Sequence, residues 1–114
     1  GGPSGFCDFG NGTGHGNAPW TQQLVAGQWY FYVCTDDGTK VTAYLNGAQV
    51  GQALWSGGTV AVSGNDIFIG RAVYGGDFFT GYIDNARIYQ NSLTASDVKA
   101  MYLAEAPAHG IAVR

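Results

Sequence analysis

The 114-residue chain is predicted to fold as an all-β domain, an antiparallel β-sandwich with one short C-terminal helix near residues 95–104. Three observations point there. Aromatic residues make up 14% of the chain and gather in short runs such as Trp29-Tyr30-Phe31-Tyr32, a composition that suits pleated, half-buried surface. Nineteen glycines punctuate these runs, and strand-like stretches recur about every 10 residues, the cadence of sandwich and jelly-roll turns. Only after Leu93 does apolar spacing switch from a period of two to that of a helix.

The elements follow in order. Phe6-Cys7-Asp8-Phe9 reads as a short strand, residues 10–19 as a long Gly- and Asn-rich loop, and residues 20–25 as a further strand. Residues 29–35 are the strongest strand candidate, apolar on both faces and so expected at the centre of the sandwich. Asp36-Asp37-Gly38 turns the chain. Residues 41–45 alternate apolar and polar, Asn46-Gly47 supplies a two-residue hairpin turn, and residues 48–50 return. Residues 59–63 are a predicted strand, Gly64-Asn65-Asp66 a turn, Ile67-Phe68-Ile69-Gly70 a short buried strand and Gly75-Gly76-Asp77 a loop. Residues 78–89 then read as one long strand, with Gly81 at a bend. Thr94 as N-cap, Asp97 three residues on, and Leu93 against Val98 form a capping box with a hydrophobic staple. Val98, Met101 and Tyr102 share one helical face, and Pro107 stops the helix.

Composition narrows the function. Charged residues are only 11% of the chain and the net charge is −3, against about 25% charged in average globular domains. The five basic residues are scattered, so no patch exists to neutralise phosphates, and nucleic acid is excluded as an expected partner. No apolar run approaches the ~20 residues that cross a bilayer, and no signal peptide is visible at the start. A Gly-, Ser-, Thr- and Asn-rich surface of low charge suits an extracellular, cell-surface or virion setting. Cys7 and Cys34 are the only cysteines; they are either a disulfide or two buried thiols. Asn11-Gly12-Thr13 is an N-glycosylation sequon if the host secretes through a glycosylating pathway.

Several segments then fall in a recognisable order: Gly27-Gln28-Trp29, Thr35-Asp36-Asp37-Gly38, Tyr44-Leu45-Asn46-Gly47 with Val50, Ile67-Phe68-Ile69-Gly70, Phe79-Thr80-Gly81-Tyr82-Ile83-Asp84-Asn85-Ala86-Arg87-Ile88-Tyr89, and Leu93-Thr94-Ala95-Ser96-Asp97-Val98 with Met101-Tyr102. This ordered set resembles the laminin-G-like members of the concanavalin A-like lectin superfamily, over residues 27–103. The resemblance implies a jelly roll whose C-terminal part is present in residues 27–106. Residues 1–26 would be a Gly-rich remnant of the front strands and residues 107–114 an exposed tail. Relatives are usually longer, so the expectation is that another chain or a further segment completes the sandwich. An open edge would otherwise invite aggregation.

The resemblance also implies a function: a non-catalytic extracellular module that binds glycan or protein ligands, with calcium as a candidate aid. The alternative is a structural subunit of an assembly such as a virion, phage tail fibre or surface layer. For calcium, Asp37, Asn65, Asp66 and Asp77 are the candidate oxygen ligands at the rim; the competing role is turn stabilisation by Asx hydrogen bonds. For sugar stacking, Trp20, Trp55, Tyr74 and Phe78 are the candidate ligand-binding aromatics, against the usual fate of such rings in a core. Asp84, Arg87, Asn46, Gly47, Thr94 and Asp97 are assigned structural roles, Asp84 and Arg87 on opposite faces of the long strand. Catalysis is not expected. Glycoside hydrolysis needs two facing carboxylates, and related hydrolytic sandwiches carry paired glutamates, whereas Glu105 is the single glutamate here. His15 and His109 have no Ser or Cys nucleophile beside them in the sequence.

Overall fold

Alternation along Lys40-Val41-Thr42-Ala43-Tyr44-Leu45 sets the centre of the molecule. The computed structural model describes residues 5–57, 67–71 and 76–110. Its strands are β1 (Gly5–Gly10), β2 (His15–Trp20), β3 (Tyr32–Asp36), β4 (Lys40–Leu45) and β5 (Ala48–Leu54), and its helix is α1 (Ala95–Glu105). β1 and β2 form a two-stranded antiparallel sheet; β3, β4 and β5 form a three-stranded antiparallel sheet with β4 in the middle. The chain is an all-β sandwich of two antiparallel layers with one C-terminal helix.

Val41, Ala43 and Leu45 point from β4 into the space between the layers, where they meet Cys7, Ala18 and Trp20 of the small sheet. Burying a side chain of the size of valine or leucine contributes about 1.5–3 kcal/mol, so this cluster is the main apolar contribution to the fold. A disulfide joins Cys7 of β1 to Cys34 of β3, with Cα atoms 5.5 Å apart, and ties one layer to the other. The layers come so close at Gly51 that a Cβ there would strike the Pro19 carbonyl oxygen, which is why β5 carries no side chain at that point.

The hairpin at Asn46-Gly47 forms as expected, with both residues at positive φ (51° and 78°). Asn46 also holds the chain outside the ladder. Its Oδ1 accepts from the Phe31 amide (2.9 Å) and its own amide donates to the Phe31 carbonyl (2.8 Å). That contact explains a departure from expectation: the strand predicted at residues 29–35 begins only at Tyr32. Phe31 turns instead towards Tyr102 of α1 (ring centroids 6.3 Å apart), and Trp29 lies against His109 (4.4 Å).

Other expectations are corrected. Residues 10–19 are not one long loop, and residues 20–25 are not a strand. Asn11 closes a tight turn, its Oδ1 accepting from the Thr13 amide and hydroxyl and from the Gly14 amide (3.0, 2.9 and 2.8 Å), and β2 follows at once. Glycine and proline concealed this strand. Pro19 lacks a ladder donor and Gly16 must be small, since a Cβ there would lie 2.6 Å from the Trp55 side chain. Strand β5 is also longer than predicted, running to Leu54.

The largest correction concerns the late strands. Residues 67–70 and 78–89 are irregular and mostly exposed rather than buried strands. Asn85 takes positive φ (54°), which breaks the alternation expected of residues 82–87. A strand is stabilised by a neighbour that accepts its ladder, and among the described residues none runs beside this segment; its backbone bond to the rest is Phe79 N–H to the Gly70 carbonyl (2.8 Å). The predicted strand at residues 59–63 and the turn at residues 64–66 lie outside the described residues.

Helix α1 starts as the sequence indicates. Thr94 Oγ1 accepts from the Asp97 amide (3.1 Å) while Asp97 Oδ2 accepts from the Thr94 amide (3.0 Å), a complete capping box. Val98 and Tyr102, four residues apart, are the buried face. Tyr102 rests on the hairpin turn, 2.8 Å from where a Cβ of Gly47 would stand. Pro107 does not simply end the helix. It sits in a 3-10 turn, Ala106–His109, capped by Gly110 at positive φ; Pro107, Ala108 and Gly110 are exposed, while His109 is half-buried.

Candidate functional site

Two residues three apart on a regular strand face opposite sides, since side chains alternate. Gln49 and Gln52 of β5 face the same side. The pairing of β4 with β5 shifts between Ala43, opposite Gly51, and Tyr44, opposite Gln49, leaving Val50 without a partner. This is a β-bulge, one extra residue in the edge strand. Val50 packs towards the core, and the shift returns Gln49 to the outer face of the sheet beside Tyr44.

The outer face that results is a groove of about 320 Å³. Its floor is built in rungs: Thr35 of β3, Thr42 of β4 and Gln52 of β5 stand across from one another, with Tyr44 and Gln49 as the next rung. Asp37 and Lys40 border one end, and Ser92 to Ala95, the lead into α1, form a wall. Gln52 Nε2 donates to Thr42 Oγ1 (3.2 Å), which fixes that amide. Tyr44 is only 6% exposed and lines the groove, and Thr35 and Thr42 beside it are likewise buried.

The electrostatics are balanced. The Lys40 ammonium lies 4.0 Å from Asp37. Asp37 Oδ1 also accepts from the Thr39 amide and hydroxyl and from the Lys40 amide (2.9, 2.8 and 2.9 Å). The Thr39 bonds, then the Lys40 amide, hold its carboxyl below the usual carboxylate range. At the other side, Asp97 faces the positive N-terminal end of α1 from within the capping box.

Of the residues singled out from sequence, Cys7 and Cys34 are joined, Asn46 and Gly47 make the hairpin, and Thr94 and Asp97 make the cap. Asp84 and Arg87 do not occupy opposite faces of a strand. They reach the C-terminal helical segment, Arg87 pairing with Glu105 and Asp84 lying 3.4 Å from His109 Nε2. The Glu105 hydrogen bond, helped by Tyr89, holds the Arg87 guanidinium still more firmly protonated than usual. Trp20 is a core residue, 7% exposed, rather than a loop aromatic. Trp55 packs partly buried against the same core, while Phe78 is 70% exposed. Tyr74, Asn65 and Asp66 lie outside the described residues. Asp37 caps its own turn and Asp77 stands apart on an exposed segment; among the described residues no three acidic, His or Cys side chains converge to hold a metal ion. The groove residues Thr35, Thr42, Gln49 and Gln52 escaped sequence reasoning because strict alternation separates positions 49 and 52. The one available signal was the Val50-Gly51 pair, where a small residue marks close approach.

A family model described as the concanavalin A-like lectin/glucanases superfamily, of laminin G type, matches residues 3–99. The chain belongs to that superfamily. The match begins before β1, so it takes in the N-terminal hairpin as well as the segments from residue 27 onwards. Among solved structures, an S-layer domain-containing protein from Clostridium thermocellum is similar in fold, with 23% identity and a TM-score of 0.57 over 79% of this chain. This chain spans 46% of that structure. None of the curated proteins matches.

Proposed function

We propose that the chain is a non-catalytic recognition domain that binds glycan or protein ligands in an extracellular or cell-surface setting. The observation that carries this reading is the polar groove, on a superfamily member whose outer sheet face is furnished with amide and hydroxyl groups. The interlayer disulfide supports an oxidising compartment. Among the described residues, several carboxylates have structural partners: Asp8 with His15, Asp37 with its turn, Asp97 with the cap and Glu105 with Arg87. That leaves the general acid and base of glycoside hydrolysis without an evident pair. Calcium enters no step of this reading. A glycan array probed with the oxidised chain, with and without EDTA, tests it, and absence of binding under both conditions leaves only protein ligands.

A specific observation favours a second reading, a structural subunit whose sandwich is completed by another chain or segment. Large apolar side chains stand exposed in one stretch, among them Ile67, Phe78, Tyr82 and Ile88, the last two at 85% and 80%. Such a patch marks a contact surface in many proteins. The fold likeness to part of an S-layer domain-containing protein is compatible with a surface assembly. Size-exclusion chromatography with light scattering decides between them: a stable monomer at high concentration removes the assembly reading.

A further inference from the structure

We propose that His109 is a proton-operated tie that holds residues 78–89 against the end of the C-terminal helical segment, firm when its imidazole is charged and slack when it is neutral. The tie governs how the chain carries its exposed apolar stretch, and it stands whether or not that stretch or the groove meets a ligand.

Three parts of the chain meet at His109. It belongs to the 3-10 turn that follows α1. Its Nε2 lies 3.4 Å from Asp84 Oδ2 in the late segment, and its ring lies against that of Trp29, ahead of β3, with centroids 4.4 Å apart. The His109 side chain is 21% exposed and that of Asp84 54%, so water and protons reach the pair. Each neighbour suits a charged ring better than a neutral one. The carboxylate attracts it by Coulomb's law, the indole face by its quadrupole, and the carbonyl end of the helical segment by its dipole.

The other charges nearby are already answered. Glu105, at the start of the same turn, pairs with Arg87, which Tyr89 also engages. Residues 21–35, which bring Trp29, contain no charged side chain. Among the described residues, Asp84 is therefore the carboxylate that faces His109. An imidazole ordinarily gains its charge below about pH 6.5, and a carboxylate keeps its charge above about pH 4. Such a pair is doubly charged between those values, and the tie weakens as pH rises out of that interval. A guanidinium and a carboxylate both stay charged across the same range, so Arg87 with Glu105 is the constant anchor and Asp84 with His109 the switchable one.

Residues 78–89 have little to resist release. They are irregular and exposed, and the Phe79 amide bonds to Gly70, which lies in the same late stretch. They also carry Tyr82 and Ile88, so a slack tie changes how these apolar side chains are presented. The other histidine, His15, pairs with Asp8 inside the β1–β2 hairpin (2.8 Å) and joins no distant segments, which makes it the control.

The test is limited chymotrypsin cleavage of the oxidised chain after Tyr82, at low salt, at pH 5.5 and pH 7.5. Wild-type and Asp84→Asn chains are compared at each pH, so the protease's own pH response cancels. The ratio of variant to wild-type cleavage rate is expected to be about two- to fivefold higher at pH 5.5 than at pH 7.5, the worth of one solvent-screened pair. His109→Gln should behave as Asp84→Asn does, and His15→Gln as wild type. Tryptophan emission supplies an independent readout, because a protonated imidazole in contact with an indole quenches it. A fall in emission between pH 7.5 and pH 5.5 is expected in wild type and should be lost in His109→Gln. A cleavage ratio equal at both pH values, a pH effect abolished by His15→Gln, or an emission change that persists in His109→Gln overturns the proposal.

Discussion

Residues 5–54 are poorer in apolar side chains than residues 67–89, yet they hold the buried core cluster. In the first region, Val41, Ala43 and Leu45 alternate out of β4 against a second layer, and a disulfide holds the layers together. In the second, Ile67, Phe68, Ile69, Phe78, Phe79, Tyr82, Ile83, Ile88 and Tyr89 are all exposed. Among the described residues, ion pairs tie it to the C-terminal helical segment: Arg87 to Glu105 and Asp84 to His109. Hydrophobicity alone therefore does not determine burial. A strand needs a second surface and a ladder partner, and the first region carries both within itself.

Four experiments break or sharpen that contrast. Replacing both cysteines, Cys7→Ser with Cys34→Ser, opens a cross-link of sequence separation 27. A loss of about 3–4 kcal/mol in urea unfolding is expected from the chain entropy regained by the unfolded state. A loss below about 1 kcal/mol would mean that the core alone holds the layers. Next, Leu45→Ala should cost about 2–4 kcal/mol through an unfilled cavity, while Ile88→Ala should change stability by no more than about 0.5 kcal/mol. Equal costs at the two positions would erase the distinction.

Acid should act locally on the first region. Asp37 has a lowered pKa in the fold, so the stability it contributes is present above the ordinary carboxylate value and is lost as pH falls through the folded one. Amide exchange at Thr39 and Lys40 is expected to quicken in that acid range, and Asp37→Asn should flatten the response. An unchanged pH profile in the variant would assign the effect elsewhere. The smallest effect belongs to the second region. Arg87→Gln removes a solvent-facing ion pair with Glu105, so any loss of thermal stability should be slight and should vanish in 0.5 M salt, well beyond the roughly 0.1 M at which the screening length is ~10 Å. A large, salt-independent loss would reveal packing around Arg87 instead.

What could be read from the sequence follows the same division. The Asn46-Gly47 hairpin and the Thr94–Asp97 cap were legible because their signals are local: a turn conformation and a reciprocal hydrogen bond between residues three apart. Strand β2 was hidden because Gly16 and Pro19 are chosen for close layer contact rather than for strand propensity. The run at residues 78–89 has strand composition without a ladder among the described residues, since pairing is a property of a neighbour rather than of the run itself. The two cysteines left disulfide and thiol open, because only the fold brings their Cα atoms within reach. The groove was least legible, as its two glutamines share a face only through the extra residue between them.

That extra residue makes the length of β5 matter more to the outer face than its composition. Exchanging Val50 for another apolar side chain keeps the count, and both amides stay beside Tyr44. Deleting it restores simple alternation and sends Gln49 towards Val41 and Leu45, into the core. A single codon lost there would exchange outside for inside along one end of the strand, and relatives that differ in length at this point would differ in what their groove presents.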